Sequence, residues 1–247
     1  MFASKILWEK GNGHLSTQRI GARCVANGGS SFVTGLDNSG NSAGTTVTGI
    51  ENSVTGEYST ATGHKNSING RSNFAAGQEN LLEADYSTAT GYKNTIIGDY
   101  SEAMGSNNLI VGNHNFSGGQ NNAIKHEVDE NDIVPGSSSD INTDNSNNFA
   151  FGYQNKISGN LSVALGRKNK IIGKIDTEGA KHGSYSLAAG NSNIIRESGS
   201  FALGTSNTVN GRNSIALGIG NVVNDNSAVA IGQYNTANKF YSVALNH

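Results

Sequence analysis

The residues most able to do chemistry are few and poorly placed for it. The six histidines, at 14, 64, 114, 126, 182 and 247, form no ligand pair at metal spacing. The single thiol, Cys24, cannot close an intrachain disulfide and is read as a substituted structural residue rather than a nucleophile. Gly166-Arg-Lys-Asn-Lys-Ile-Ile-Gly173-Lys174 resembles a phosphate-cradling loop only in its glycines, since its spacing is wrong for a Walker motif. Polysaccharide-cleaving enzymes use paired carboxylates, so Glu57, Glu79, Glu83, Asp85, Asp99 and Glu102 are the acids to inspect. They are read as scattered over different columns of the repeat described below. The expectation is a non-enzymatic protein with no cofactor and no metal, with a polysaccharide-degrading fibre as the third reading.

Composition narrows the partners. The 247 residues include 33 Gly, 35 Asn, one Pro and only 15% charged residues, with a formal net charge of −2. Such a chain has no basic field to hold a phosphate backbone, so no nucleic-acid partner is expected. Gly at this level without a Gly-X-Y period excludes collagen, and low charge with scattered Ile, Val and Leu argues against disorder. No apolar run is long enough to span a bilayer or serve as a signal peptide, so no membrane insertion is expected.

The organising feature is a period of fourteen residues. Glycines stand at 21, 35, 49, 63, 77, 91, 105 and 119, again at 152 and 166, and again at 190, 204, 218 and 232. Three past each of most of these anchors is an Asn, as at Asn66, Asn80, Asn94 and Asn108 after Gly63, Gly77, Gly91 and Gly105. A second Gly is frequent seven past the anchor, as at Gly28, Gly56, Gly70 and Gly98. Two glycines half a period apart predict two short extended segments joined by two tight turns, one coil of a solenoid. A half-coil of this length is too short for a stable helix. Stacked coils turn recurring positions into columns: Ala two before the anchor (Ala61, Ala75, Ala89, Ala103) faces an aliphatic residue five past it (Val54, Ile68, Leu82, Ile96). The Asn column is expected to satisfy turn backbone groups and to stack amide on amide.

Residues one and three before the anchor point away from the alanines. In the second half they are Phe149 and Phe151, Val163 and Leu165, Leu187 and Ala189, Phe201 and Leu203, Ile215 and Leu217, Val229 and Ile231, and Val243 and Leu245. Strands apolar on both faces need cover on both, and a coil has one interior. These residues are therefore expected to meet other copies of the chain. In the first half the same columns hold Thr34, Thr46, Thr48, Thr60, Thr62, Thr88, Thr90 and Glu102, which predicts a wetter association. Their threonine pairs suggest an ice-binding ladder that Phe74/Ala76 and Glu102/Met104 interrupt.

The units Ser162-Val-Ala-Leu-Gly166, Ser200-Phe-Ala-Leu-Gly204, Ser214-Ile-Ala-Leu-Gly218 and Ser242-Val-Ala-Leu245 resemble the head repeats of YadA-type trimeric autotransporter adhesins. The resemblance covers about residues 19–246 apart from two interruptions. It implies a left-handed parallel β-roll, a homotrimer of chains side by side, and a role in attachment to surfaces. Asn three past the anchor departs from that family, which more often has a small residue there. The secretion signal, coiled-coil stalk and membrane anchor of the family are not recognised in this sequence.

The expected organisation is an N-terminal cap or docking peptide over 1–18, a first β-roll block over 19–124, a projecting insertion over 125–148, and a second block over 149–247 with a further insertion at 174–184. Phe2, Ile6, Leu7 and Trp8 either cover the first coil's open edge or dock the chain into a virion or surface-anchoring protein. The first insertion carries His126, Asp129, Asp132, Asp140 and Asp144, a candidate recognition loop whose acids lack the order of an EF-hand. The leading expectation is a trimeric attachment fibre on a phage virion, tail or capsid, meeting a host surface glycan or protein. The alternative is the head of a bacterial adhesin at the outer surface.

Overall fold

A computed structural model describes residues 18–125, 146–172 and 184–246. These fall into two compact units that divide between Asn107 and Asn108. Each unit is an all-β parallel β-solenoid in which every coil contributes one long and one short strand, and the long and short strands stack into separate sheets.

In the first unit the long strands run from Gln18–Ala22 and Phe32–Leu36 through Thr60–His64 to Glu102–Ser106, and the short ones from Val25–Ala26 to Thr95–Ile97. The pairing offset is one period: Ala61 lies beside Ala75 and Val47, and Ile68 beside Leu82 and Val54. In the second unit the long strands run from Phe116–Gln120 to Val243–Leu245 and the short ones from Leu109–Val111 to Thr236–Ala237. Two pairings there skip the insertions without losing register. Phe116 pairs with Phe149, and Val163 with Leu187, so anchor still meets anchor, Gly119 beside Gly152 and Gly166 beside Gly190. The coil is already re-entered at Ser146, whose N–H donates to Asn160 Oδ1 at 3.0 Å.

The interior is one layer mostly of alanines, with Val33, Val47 and Ser117 in the same column, against one layer mostly of branched aliphatics. Ala61, Ala75, Ala89 and Ala103 are fully buried opposite Val54, Ile68, Leu82 and Ile96. In the second unit Ala150, Ala164, Ala188, Ala202, Ala216 and Ala230 face Ile157, Ile171, Ile195, Val209 and Val223. A methyl group opposite a branched chain of three or four carbons suits the narrow coil.

The turns differ from the sequence expectation. Glycine does not supply most of the left-handed turn residues. Positive φ near 55° falls two past the anchor, at Asp37, Glu51, Lys65, Glu79 and Lys93, and nine past it, at Tyr58, Ser72, Tyr86 and Tyr100. A left-handed non-glycine residue costs about 1–2 kcal/mol. Each is held by a hydrogen bond from its own N–H to the preceding coil, as from Lys65 to the Ile50 carbonyl at 2.9 Å. The anchor glycines serve another purpose. At Gly91 φ is +114°, and a Cβ would lie 2.0 Å from the Gly105 carbonyl oxygen. The half-period Gly28 is required for the same reason, since its Cβ would lie 1.9 Å from the Ser42 carbonyl oxygen.

Candidate interaction face

Two buried polar ladders hold the coils in register. Asn66 Nδ2 donates to the Thr62 carbonyl, to the carbonyl of the next anchor, Gly77, and to Asn52 Oδ1, at 2.9–3.0 Å. Asn66 Oδ1 accepts the backbone N–H of Asn80 at 3.1 Å and its Nδ2 at 2.9 Å. Asn80 and Asn94 repeat this set in the first unit, and Asn108, Asn122, Asn169, Asn193, Asn207 and Asn221 form a ladder of the same kind within the second. At the first rung, Cys24 Sγ lies 3.3 Å from the Gly35 carbonyl oxygen and 4.0 Å from that of Ile20, the two carbonyl positions that Asn Nδ2 reaches in later coils. Its thiol is 2% exposed and stands in the ladder.

The second ladder was not assigned from the sequence. Ser87 Oγ lies within hydrogen-bond distance of the Asp85 and Gly98 carbonyl oxygens and accepts the N–H of Ser101 at 3.0 Å. Ser200 and Ser214 do the same in the second unit. The signal was present as the recurrent Ser four before the anchor, at Ser59, Ser87, Ser101, Ser162, Ser186, Ser200 and Ser214.

Three of the acids inspected for catalysis share a column after all. Glu57, Asp85 and Asp99 each stand eight past an anchor, contrary to the expectation that these acids fall in different columns. Asp85 Oδ1 accepts the Arg71 N–H at 2.6 Å and Asp99 Oδ1 the Asp85 N–H at 2.7 Å. These carboxylates thus bond the backbone between coils. Among the described residues no group of three or more His, Cys, Asp or Glu could hold a metal ion. Gly166 is an anchor glycine, with φ at +105° and its Cβ position 2.3 Å from the Gly190 carbonyl oxygen, which accounts for the first glycine of the phosphate-loop look-alike.

Outside the coil, the second unit presents a continuous apolar face. One column is Phe149, Val163, Leu187, Phe201, Ile215, Val229 and Val243; the other is Phe151, Leu165, Ala189, Leu203, Leu217, Ile231 and Leu245, each residue beside the next in register. All point away from the buried alanines and are partly or largely open to solvent, Phe151 at 52% and Leu245 at 67%. No charge interrupts either column. At the N-terminal end the ring of Phe116 stacks on Phe149 with centroids 4.7 Å apart, and Gly118 makes room for the Phe151 ring. The two columns span about 3 residues of strand at about 3.3 Å by a rise of about 4.8 Å, so eight rungs give on the order of 400 Å². That is the range of the largest apolar patch on a typical monomer and about half of one partner's share of a stable interface.

Phe2, Ile6, Leu7 and Trp8 of the docking peptide, and His126, Asp129, Asp132, Asp140 and Asp144 of the recognition loop, lie outside the described residues. A scan of protein-family models and a search of curated proteins found no match to the chain. The architecture is an all-β parallel β-solenoid of fourteen-residue coils, a fold consistent with the group that includes YadA-like heads.

Proposed function

We propose that the chain is a non-enzymatic structural protein that assembles as a homotrimer of left-handed coils into an attachment fibre, carried on a virion and meeting a host surface glycan or protein. The observation that supports this best is the uncharged apolar face from Phe149 to Leu245. A second copy of the chain is its fitting partner, because two solenoids of the same rise bring rung against rung along the whole face. Both outward columns are apolar, which suits a chain meeting two neighbours. The threonines of the first unit leave a wetter contact in the same assembly. A continuous uncharged apolar stripe along stacked strands is an aggregation hazard without a partner.

Multi-angle light scattering tests the assembly directly. Three chains per particle are expected for the wild type, and one for Leu203→Asp or Leu217→Asp, since each variant places three charges in a dry contact. A single wild-type chain per particle would sink the proposal. The non-enzymatic reading expects that incubation with host glycans releases no oligosaccharides. The virion reading expects capsid or tail genes beside the coding sequence; a downstream coiled coil and β-barrel in the same frame would transfer the chain to the bacterial surface.

A further inference from the structure

All eight tyrosines stand at the corners of the coils or on the strand residue beside them, and none lies in the interior. Three of them, Tyr58, Tyr86 and Tyr100, share one column of the first unit, nine past the anchors. Each adopts φ of 54°, the left-handed conformation that a bulky side chain adopts least readily. Ser30, Gly44 and Ser72 fill the same slot in other coils, so the fold has no need of a ring there; Ser72 falls between Tyr58 and Tyr86, which makes the ridge an adjacent Tyr86 and Tyr100 pair with Tyr58 two coils away. The rings nonetheless project to solvent, at 65%, 48% and 54% exposure.

The ridge is stiff. The backbone N–H of each tyrosine is bonded to the preceding coil, Tyr58 to the Ala43 carbonyl and Tyr86 to that of Arg71, both at 2.9 Å, and Tyr100 to that of Asp85 at 3.0 Å. The Tyr86 and Tyr100 rings stack 5.1 Å apart at 7°, and the Tyr58 ring occupies the space a side chain on Gly44 would fill. Directly beside the rings runs the column of Glu57, Arg71, Asp85 and Asp99. Pre-set amphipathic rings beside hydrogen-bonding side chains are what a sugar recognises: its C–H faces lie on rings and its hydroxyls bond the flanking groups.

We propose that the Tyr58, Tyr86 and Tyr100 ridge binds a neutral polysaccharide laid along the stacking direction of the coils. The rise of about 4.8 Å per coil is close to the length of one hexose in an extended chain. Three carboxylates against one guanidinium in the flanking column disfavour an acidic glycan. This rests on the attachment reading and narrows its ligand to one class.

The test is affinity electrophoresis of the full chain in native gels cast with a β-glucan, a galactomannan or, as the acidic control, polygalacturonate, beside binding of labelled protein to intact cells. Retardation by a neutral polymer and not by polygalacturonate is expected. Tyr58→Ser, Tyr86→Ser and Tyr100→Ser should each weaken it roughly three- to tenfold, and the triple variant should abolish it. Serine occupies this slot at Ser30 and Ser72, so these variants keep the fold, which circular dichroism checks. The matching Tyr→Phe variants keep the rings and most of the binding. Full retardation of the triple variant would overturn the ridge, as would a wild type that binds cells yet passes both neutral gels freely. A wild type that binds neither cells nor polymers would overturn the attachment reading as well.

Discussion

At the scale of single residues, the fold depends on positions where a small change has no room to relax. Gly91→Ala would set a methyl carbon 2.0 Å from the Gly105 carbonyl oxygen on a backbone at φ of +114°. The expected loss is about 3–5 kcal/mol, read from the midpoint of urea unfolding. Asn80→Ala belongs beside it, because it removes the donor to the Ala76 and Gly91 carbonyls and the acceptor of the Asn94 N–H, all in a ladder closed to water. Ser117 runs the other way. It stands in the alanine column, fully buried, and its hydroxyl has no hydrogen-bond partner among the described residues. Ser117→Ala is expected to stabilise the protein by about 1–2 kcal/mol, as a shift of the same midpoint to higher urea. The Asn role and the Cys24 substitution were legible from spacing alone. The unpartnered hydroxyl of Ser117 was not, because one Ser among alanines carries no local signal.

At the scale of the coil, the corner two past the anchor alternates charge through much of the first unit. Arg23 pairs with Asp37, Lys65 Nζ lies 3.5 Å from Glu51, and Lys93 Nζ lies 3.2 Å from Glu79. The Arg23 hydrogen bond holds the Asp37 carboxyl below its ordinary range. Glu79 is lowered by the Gln78 amide and then by Lys93. Both folded pKa values are depressed, so the stabilisation is complete above the ordinary carboxylate value of about 4 and is lost as pH falls through the folded ones. The pairs are exposed, so salt should shrink the effect. In thermal melts at falling pH, the double variant Asp37→Asn, Glu79→Gln is expected to lose less stability than the wild type at low salt, and the difference should fade at high salt. Equal slopes would show that these carboxylates do not couple to folding. Two strands per period could be read from the repeat, but the turn conformations could not. Left-handed Lys65 and Tyr58 are tolerated because their N–H groups bond the coil before, and a local reading of turn propensity does not see that partner.

At the scale of the assembled molecule, subunit association links folding to concentration. If copies of the chain seal the Phe149 to Leu245 face, the melting temperature should rise with protein concentration, and that dependence should vanish in Leu217→Asp. Differential scanning calorimetry over a dilution series checks it; a constant midpoint in the wild type would show that the face stays wet. The period, the alanine and aliphatic columns, and the apolar second half were all written in the order of residues, since a strict repeat places like beside like whatever the details of the turns. Three things became visible when the coils were stacked. Phe116 meets Phe149 across the first insertion. The Asp85 and Asp99 carboxylates bond the backbone N–H groups of Arg71 and Asp85 one coil before them. The anchor glycines turn out to be required by the neighbouring coil's carbonyls as well as by their own positive φ. Each is a relation between residues a full period or more apart, and such relations depend on how successive coils contact one another, which spacing along a chain describes only in part.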